Sequence, residues 1–316
     1  MDDCRRPGLN ARYPIDRVSS RRKDDEWLAA RLEHDAARFI PVWESKNLFA
    51  AELEPVLLSP REMGDSIHTA ESITLLGMYE DRAYFAVGLP SGEAIASTGL
   101  DKFGRFRDLR RVAALLNEQD IALLAHAKAM TYWHSRHCFC GDCGSPTSSV
   151  EAGCLRVCSN EQCGQQHFPR TDPAIIVLVT SGEHGLLGRQ AVWPKGMYST
   201  IAGFVEPGES LEDAVAREVW EETGVKVEET HYYSSQPWPF PSSLMLGFTA
   251  RAGNTSIRVD KSELEDACWL TRKEMQSKLK QGILKLPLRF SIAHRLIENW
   301  FDAGRLGQLK DVLNSI

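Results

Sequence analysis

Long apolar runs are missing from this sequence: none approaches the ~18 residues that span a bilayer, which argues against a transmembrane helix. The first residues, MDDCRRPGLNARYPIDR, lack the apolar stretch of a secretory signal, and Asn314-Ser315-Ile316 is not a peroxisomal tripeptide of the SKL type. An intracellular, most simply cytoplasmic, location is expected, with peroxisomal and other organellar locations left open. Positive charge is in deficit too. A net charge of −6 and a pI near 5.9 argue against a nonspecific nucleic-acid or membrane-surface binder, without excluding a local basic groove. No low-complexity tract or internal repeat is present. No G-x-G-x-x-G follows a strand-like run, which argues against a redox role with a bound dinucleotide. What remains is an ordinary globular composition in a chain of 316 residues, long enough for two or three domains.

Cysteine is scarce outside one segment. Six of the eight lie between Cys138 and Cys163, while Cys4 and Cys268 stand alone. Local clustering without a secretory signal reads as metal binding in a reducing compartment. Cys140-x2-Cys143 and Cys158-x4-Cys163 are two short-spaced pairs separated by a hairpin-length insert, the layout of a structural zinc ribbon. Gly141 and Gly144 suit the first tight turn. Cys138 and Cys154 are read as non-ligands on spacing, and His137 and His167 are left without a required role. The plainer alternative is a set of buried free thiols.

Residues 203–225, GFVEPGESLEDAVAREVWEETGV, carry the densest chemistry. A glycine turn leads into an amphipathic segment whose spacing predicts a helix, closed by Gly224 as C-cap. Glu221 and Glu222 follow Glu218 by three and four residues, so all three carboxylates are expected on one side. Like charges that close repel unless a cation neutralises them, and hard oxygens select Mg2+ or Mn2+. Glu209, on the loop before the helix, can add a fourth oxygen or pair with Arg217. Charge runs are usually solvated faces, but a solvated face has no need of such fixed spacing.

That spacing, G-x5-E-x7-R-E-U-x-E-E-x-G-U with U aliphatic, resembles the signature of the Nudix hydrolases at every fixed position. The resemblance implies hydrolysis of a nucleoside diphosphate linked to another moiety, on an α/β/α sandwich. Beyond it lies Ser235-Gln236-Pro237-Trp238-Pro239-Phe240-Pro241-Ser242-Ser243. Its prolines are expected to exclude this stretch from a regular ladder and to fix Trp238 and Phe240. Those aromatics suit either a planar ring or a packed core wall. The array SQPWPFPxS resembles the NADH pyrophosphatase branch of the superfamily. So do the cysteine ribbon, the lead-in Trp133-His134, the run Phe168-Pro169-Arg170-x-Asp172-Pro173 and the tail from Ser291. The likeness covers about residues 109 to 300 well and the first hundred only loosely. Phe168 stands where the branch often has tyrosine, which keeps the ring and loses the hydroxyl.

By resemblance, the expected reaction is hydrolysis of the pyrophosphate of NAD(H) to a nicotinamide mononucleotide and AMP. Glu218 and Glu222 would bind the divalent metal, with Glu221 contributing. Glu263 would complete the metal site or act as general base, unless it is only a surface acid in the run Glu263-Leu264-Glu265-Asp266. Arg217 would orient Glu209 or a neighbouring carboxylate. Phe204 would pack on a substrate base with Phe168 opposite, and Gln236, Trp238, Phe240 and Ser243 would line the pocket. Removal of NAD caps from RNA 5′ ends uses the same bond and stays open; Lys102, Arg105, Arg107, Arg110 and Arg111 are a candidate phosphate-friendly stretch, or simply an exposed helix start. From another class, a catalytically inactive zinc-ribbon interaction module is also open. A homodimer is implied, and no membrane partner.

Three segments are expected: an N-terminal β-rich mixed domain over 1–135, the ribbon over 136–170 and the α/β/α hydrolase domain over 171–316. A helix is read from Asp24 to Phe39, a hairpin over residues 72–87, and a helical region from Leu109 to His134 with a break near Gln119-Asp120. After the ribbon come strands at Pro173, Gly185, Val227–Ser234, Leu244–Arg251, Ser256–Val259 and Ala267–Leu270. Helices at Arg272–Gln281 and Ser291–Ala303 close the chain.

Overall fold

The structure, a computed structural model, describes residues 15–92 and 98–315, so Cys4 and Ile316 lie outside the described residues. It divides into two compact units, residues 15–171 with Pro239–Ser242, and residues 172–315 without those four. The ribbon residues fall in the first.

In the N-terminal unit, α1 (Asp25–Glu33) is capped by Asp24, whose carboxylate accepts from the Trp27 N–H. The expected continuation of this helix to Phe39 is corrected: β1 (Arg38–Trp43) begins there and is followed by β2 (Lys46–Phe49). The cause is burial on two sides. Phe39 packs in one core cluster and Ile40 in another, an alternation that a strand satisfies and a helix does not. After α2 (Pro60–Met63), the expected hairpin forms from β3 (Ser72–Tyr79) and β4 (Arg82–Gly88). β5 (Arg105–Arg107), α3 (Leu109–Val112) and α4 (Glu118–Arg136) follow. The helical break falls just before the expected place, where Asn117 caps α4 by accepting from the Asp120 N–H. The sheet runs β3-β4-β1-β2-β5, with β1 parallel to β4. Ile40, Leu76 and Ala86 face α4, whereas Phe39, Leu75 and Phe85 face the side covered by Trp27, Leu28 and Leu32. The ribbon adds β6 (Thr147–Val150), β7 (Leu155–Cys158) and β8 (Gln166–His167) as a small antiparallel sheet.

The C-terminal unit contains β9 (Asp172–Ser181), β10 (His184–Arg189), β11 (Ile201–Phe204), α5 (Leu211–Thr223), β12 (Val227–Trp238), β13 (Ser243–Ala252), β14 (Asp266–Thr271), α6 (Arg272–Lys280), α7 (Ile292–Asp302) and α8 (Leu309–Asn314). Its sheet runs β12-β13-β9-β10-β14, with β11 paired to β9 and β13 parallel to β9. Along β9 the side chains alternate: Ile175, Val177 and Val179 face α5, while Ile176 and Leu178 face α7. The result is the expected α/β/α sandwich within a mixed fold, with a helix layer on each face.

Two expectations fail here. The strand read over Ser256–Val259 is absent, because Arg258 and Asp260 donate their N–H groups to the carbonyls of Thr223 and Glu222 at the end of α5 (2.7 and 3.0 Å). Those carbonyls have no partner within their own helix, so the segment caps it and does not extend the sheet. Conversely, β12 continues through Ser235-Gln236-Pro237-Trp238 in register with residues 243–246 of β13. As an edge strand it tolerates Pro237, because alternate N–H groups on an edge face away from the ladder.

Candidate active site

Helix α5 carries charge on a buried edge. Ser210 caps its start by accepting from the Asp213 N–H, and Gly224 ends it at φ 68 with its N–H on the Trp220 carbonyl. Ala214, Val215 and Val219 are fully buried. Glu218 and Glu222 share their side and are only 8% and 4% exposed. Glu263 reaches them from the loop after β13, and oxygens of the three carboxylates lie within 4.8 Å of one another.

Asp260 shapes that loop. Its Oδ1 accepts the N–H and hydroxyl of Ser262 (2.8 and 2.7 Å), and its carbonyl accepts from the N–H groups of Glu263 and Leu264. This is an Asx turn. Leu264, 3% exposed, anchors it in the core. Asp260 was not singled out by spacing, although Asp-x-Ser is the pattern from which such a turn is read.

Glu221 goes elsewhere. It is half exposed and bonded to Arg217 Nη1 at 3.0 Å, apart from the other three carboxylates. Arg217 also donates to both oxygens of Glu209 (2.5 and 2.9 Å), to Glu218 (2.9 Å) and to the Phe204 carbonyl (2.9 Å). Of the two roles open to Glu209, it takes the pairing with Arg217. The Arg217 guanidinium and the Glu206 N–H hold its carboxyl down at about 2. Gly203, the first fixed glycine of the signature, shows its reason only in three dimensions: a Cβ there would lie 1.9 Å from the Glu218 Cδ, so only glycine leaves room for the carboxylate.

The Glu222 carboxylate receives no hydrogen bond or ion pair among the described residues. Burial, reinforced by the charges of Glu218 and Glu263, pushes its carboxyl from 4.5 up to about 8. Burial raises Glu218 as well, against the pull of Arg217. Buried like charges without partners persist only if protonated or if a cation joins them. The donors are hard oxygens, with no thiolate or imidazole among them, so they fit a divalent ion of the Mg2+ or Mn2+ kind.

The aromatic array divides between the units. Trp238 stacks on Phe290 (5.8 Å between centroids, 24° between planes). The Gln236 side chain is spent: Nε2 donates to the Phe290 carbonyl (2.7 Å) and Oε1 accepts from the Ile292 N–H (2.8 Å), fixing the start of α7. Ser243 sits half-buried opposite Trp238. Phe240 belongs to the N-terminal unit, packed on the cluster containing Ile40 and Val42, with Lys128 Nζ 5.1 Å from its ring centroid. It takes the packed-wall role of the two its ring allowed. Phe204, ending β11, and Phe168, beyond β8, are 61% and 65% exposed. Phe290 carried no signal in the sequence.

The Sγ atoms of Cys140, Cys143, Cys158 and Cys163 converge within 4.8 Å, with Cys140–Cys163 at 3.8 Å and Cys143–Cys158 at 3.4 Å. A tetrahedron with Zn–S bonds of about 2.3 Å has edges of about 3.8 Å, so the four thiols fit zinc. Gly144 (φ 74) and Gly164 (φ 59) supply the left-handed turns of the two knuckles. The Ser145 hydroxyl and N–H lower Cys143 to about 6, which favours its thiolate. Cys138 donates to the His134 carbonyl and Cys154 to that of Leu75, outside the cluster, while His137 bonds the Trp133 carbonyl.

The NUDIX domain family matches residues 170–289, and the NADH pyrophosphatase-like rudimentary NUDIX domain matches residues 36–133. The chain is 37% identical over 330 residues to the NAD-capped RNA hydrolase NUDT12 of Macaca fascicularis, covering 90% of this chain and 71% of that protein. It is 38% identical over 274 residues to the mitochondrial NAD(P)H pyrophosphatase NUDT13 of Homo sapiens, with 79% and 76% covered. To the NAD-capped RNA hydrolase NudC of Stutzerimonas stutzeri it is 43% identical over 209 residues, covering 66% and 72%. A shared box alone would place the chain only in the superfamily; likeness running through the rudimentary domain as well shows that it belongs to the Nudix hydrolases, in their NADH pyrophosphatase branch.

Proposed function

We propose that the chain hydrolyses the pyrophosphate bond of NAD(H), releasing AMP and a nicotinamide mononucleotide. The observation that carries this reading is the trio of like charges Glu218, Glu222 and Glu263, two of them buried and the third exposed at their edge, which suits a cation. In that role the three hold Mg2+ or Mn2+, with Glu221 near enough on α5 to contribute once Arg217 releases it. When bound, such an ion screens the phosphate charges and makes a bound water more acidic. Glu263, on its loop, is suited to take the proton of the attacking water or to complete the ligand set. Arg217 positions Glu218 and ties the turn at Glu209 to Phe204. Trp238, backed by Phe290, and the exposed ring of Phe204 are flat apolar surfaces on which a base can stack. Four thiolates hold structural Zn2+.

A second reading, removal of NAD caps from RNA, is supported by the names of two of the relatives described above. Steady-state hydrolysis of NADH, NAD+, ADP-ribose, diadenosine polyphosphates and NAD-capped RNA, with Mg2+ or Mn2+, tests both. NADH turnover lost in Glu222→Gln supports the first. A higher kcat/KM on capped RNA makes decapping the main activity. Cleavage of nothing leaves the zinc-ribbon interaction module. We also propose a homodimer, which a monomeric mass by light scattering at micromolar concentration would refute. A cytoplasmic location is proposed as well, to be checked by imaging, since relatives include mitochondrial and chloroplastic proteins. No described helix is long and apolar enough to cross a membrane.

A further inference from the structure

Five basic side chains follow one another along the edge of the N-terminal sheet. Lys102 ends a short 3-10 turn, Arg105 and Arg107 stand on β5, and Arg110 and Arg111 lie in α3. All five are exposed. The plainer sequence reading, an exposed helix start, therefore covers only the last two. Among the described residues none of the five forms an ion pair: Arg105 reaches the Asp101 carbonyl and Lys102 rests on the Phe103 ring. Of the neighbouring acids, Glu62 feels the charge of Lys102 but forms no ion pair with it among the described residues. Asp101 is half-buried, and Asp108 is spent as the cap of α3, accepting from the Arg110 N–H. Another basic run shows the contrast, since Arg21 pairs with Asp24 and Lys23 with Glu151.

The backbone arranges these charges in a row. β5 is the last strand in the sheet order, so among the described residues its outer edge pairs with nothing. Phe106 turns inward against Trp43, which puts Arg105 and Arg107 together on the other face, about 6.6 Å apart along the strand. Charge on an edge strand also keeps foreign strands from pairing with it. That need is met by the two arginines on β5 and does not explain three more beyond its ends. In a chain of net charge −6, five unpaired cations in ten residues are the signature of a polyanion surface.

We propose that this edge, Lys102 through Arg111, docks the phosphodiester backbone of single-stranded RNA. The proposal rests on the decapping reading, which supplies an RNA body to be held. Contacts of this kind are electrostatic, and no exposed aromatic accompanies the five, so binding is indifferent to sequence and steep in salt.

The test uses the full chain and a labelled, uncapped single-stranded RNA of about 20 nucleotides, followed by fluorescence anisotropy. Five phosphate contacts give a slope of log K against log salt near −3.5, at about −0.7 per contact. Arg105→Gln with Arg107→Gln flattens it by about 1.4. The reversals Arg105→Glu with Arg107→Glu, and Arg110→Glu with Arg111→Glu, each weaken RNA binding at least about 10-fold. KM for capped RNA rises in these variants while NADH hydrolysis stays at the wild-type level. RNA affinity unchanged in both reversals overturns the proposal, as does wild type that fails to bind RNA. Binding to phosphatidylserine vesicles without binding to RNA also overturns it, assigning the edge to a lipid surface. RNA binding lost in the variants, in a protein that cleaves no dinucleotide, keeps the surface and sinks the active-site reading instead.

Discussion

Each of the two large sheets buries polar side chains under one covering helix, and they do so with opposite outcomes. On the N-terminal sheet, α4 buries Lys128, Thr131 and His134, all of them satisfied. Lys128 Nζ donates to the Ser45 carbonyl, the Thr131 hydroxyl to that of Ala127, and the His134 ring meets the Gly153 carbonyl and Arg156 Nη1. On the C-terminal sheet, α5 buries Glu218 and Glu222 beside Glu263, and the Glu222 carboxylate has no partner among the described residues. A buried polar group with an internal partner is architecture. A buried carboxylate without one, crowded by two others, has a desolvation cost that the chain leaves uncompensated and so suits an ion.

The largest effect expected comes from breaking the support of the N-terminal helix. Arg156 on β7 and Thr147 on β6 frame His134, so the ribbon holds that network in place. Structural zinc contributes on the order of 10 kcal/mol to such a site. Cys158→Ser is therefore expected to lose the metal and to melt the ribbon well below wild type, measured by zinc content and calorimetry. Retained zinc would remove the site from these cysteines.

Substitutions at the two helices should then separate activity from stability. Glu222→Gln is expected to lower kcat by about 10²–10³-fold. Folding raises this carboxyl from 4.5 to about 8, so its contribution to stability is whole below pH 4.5 and is lost as pH climbs through 8. In chelator, the same substitution should therefore stabilise the protein at pH 8.5 by roughly 2–4 kcal/mol and leave it almost unchanged at pH 4. His134→Leu should do the reverse, costing roughly 1–3 kcal/mol while sparing kcat. Denaturant melts at both pH values check the pair. Stability effects of the same sign would dissolve the distinction.

Gly203→Ala places a methyl where the Glu218 carboxylate sits, and about 10- to 100-fold of kcat should go with it while the melting temperature barely moves. The smallest effect is expected at Asp260→Ala. Loss of the Asx turn should weaken Mn2+ binding by about 10-fold, read by calorimetric titration, with kcat restored at saturating metal. Unaltered Mn2+ affinity would show that Leu264 alone fixes the loop.

Much of this was legible in the chain because the signals are local. The cysteine pairs and the α5 glutamates stand at spacings that a knuckle or a helix turn imposes by itself. Where neighbours in space decide, local reading failed. The pattern up to Phe39 reads as helix, but Phe39 and Ile40 face opposite cores, and Pro237 reads as a loop residue, but an edge strand gives it a harmless place.

The sequence by itself determined the family, the candidate metal-ligand clusters and the helix carrying Glu218 and Glu222, since each depends on spacings within a few residues. Only the tertiary structure decided that Glu263 joins them, that Glu221 turns to Arg217, that Gly203 must lack a side chain and that Phe240 packs with Lys128. Those outcomes depend on groups distant in the chain brought within a few ångströms, where exclusion of water makes charge and volume count most.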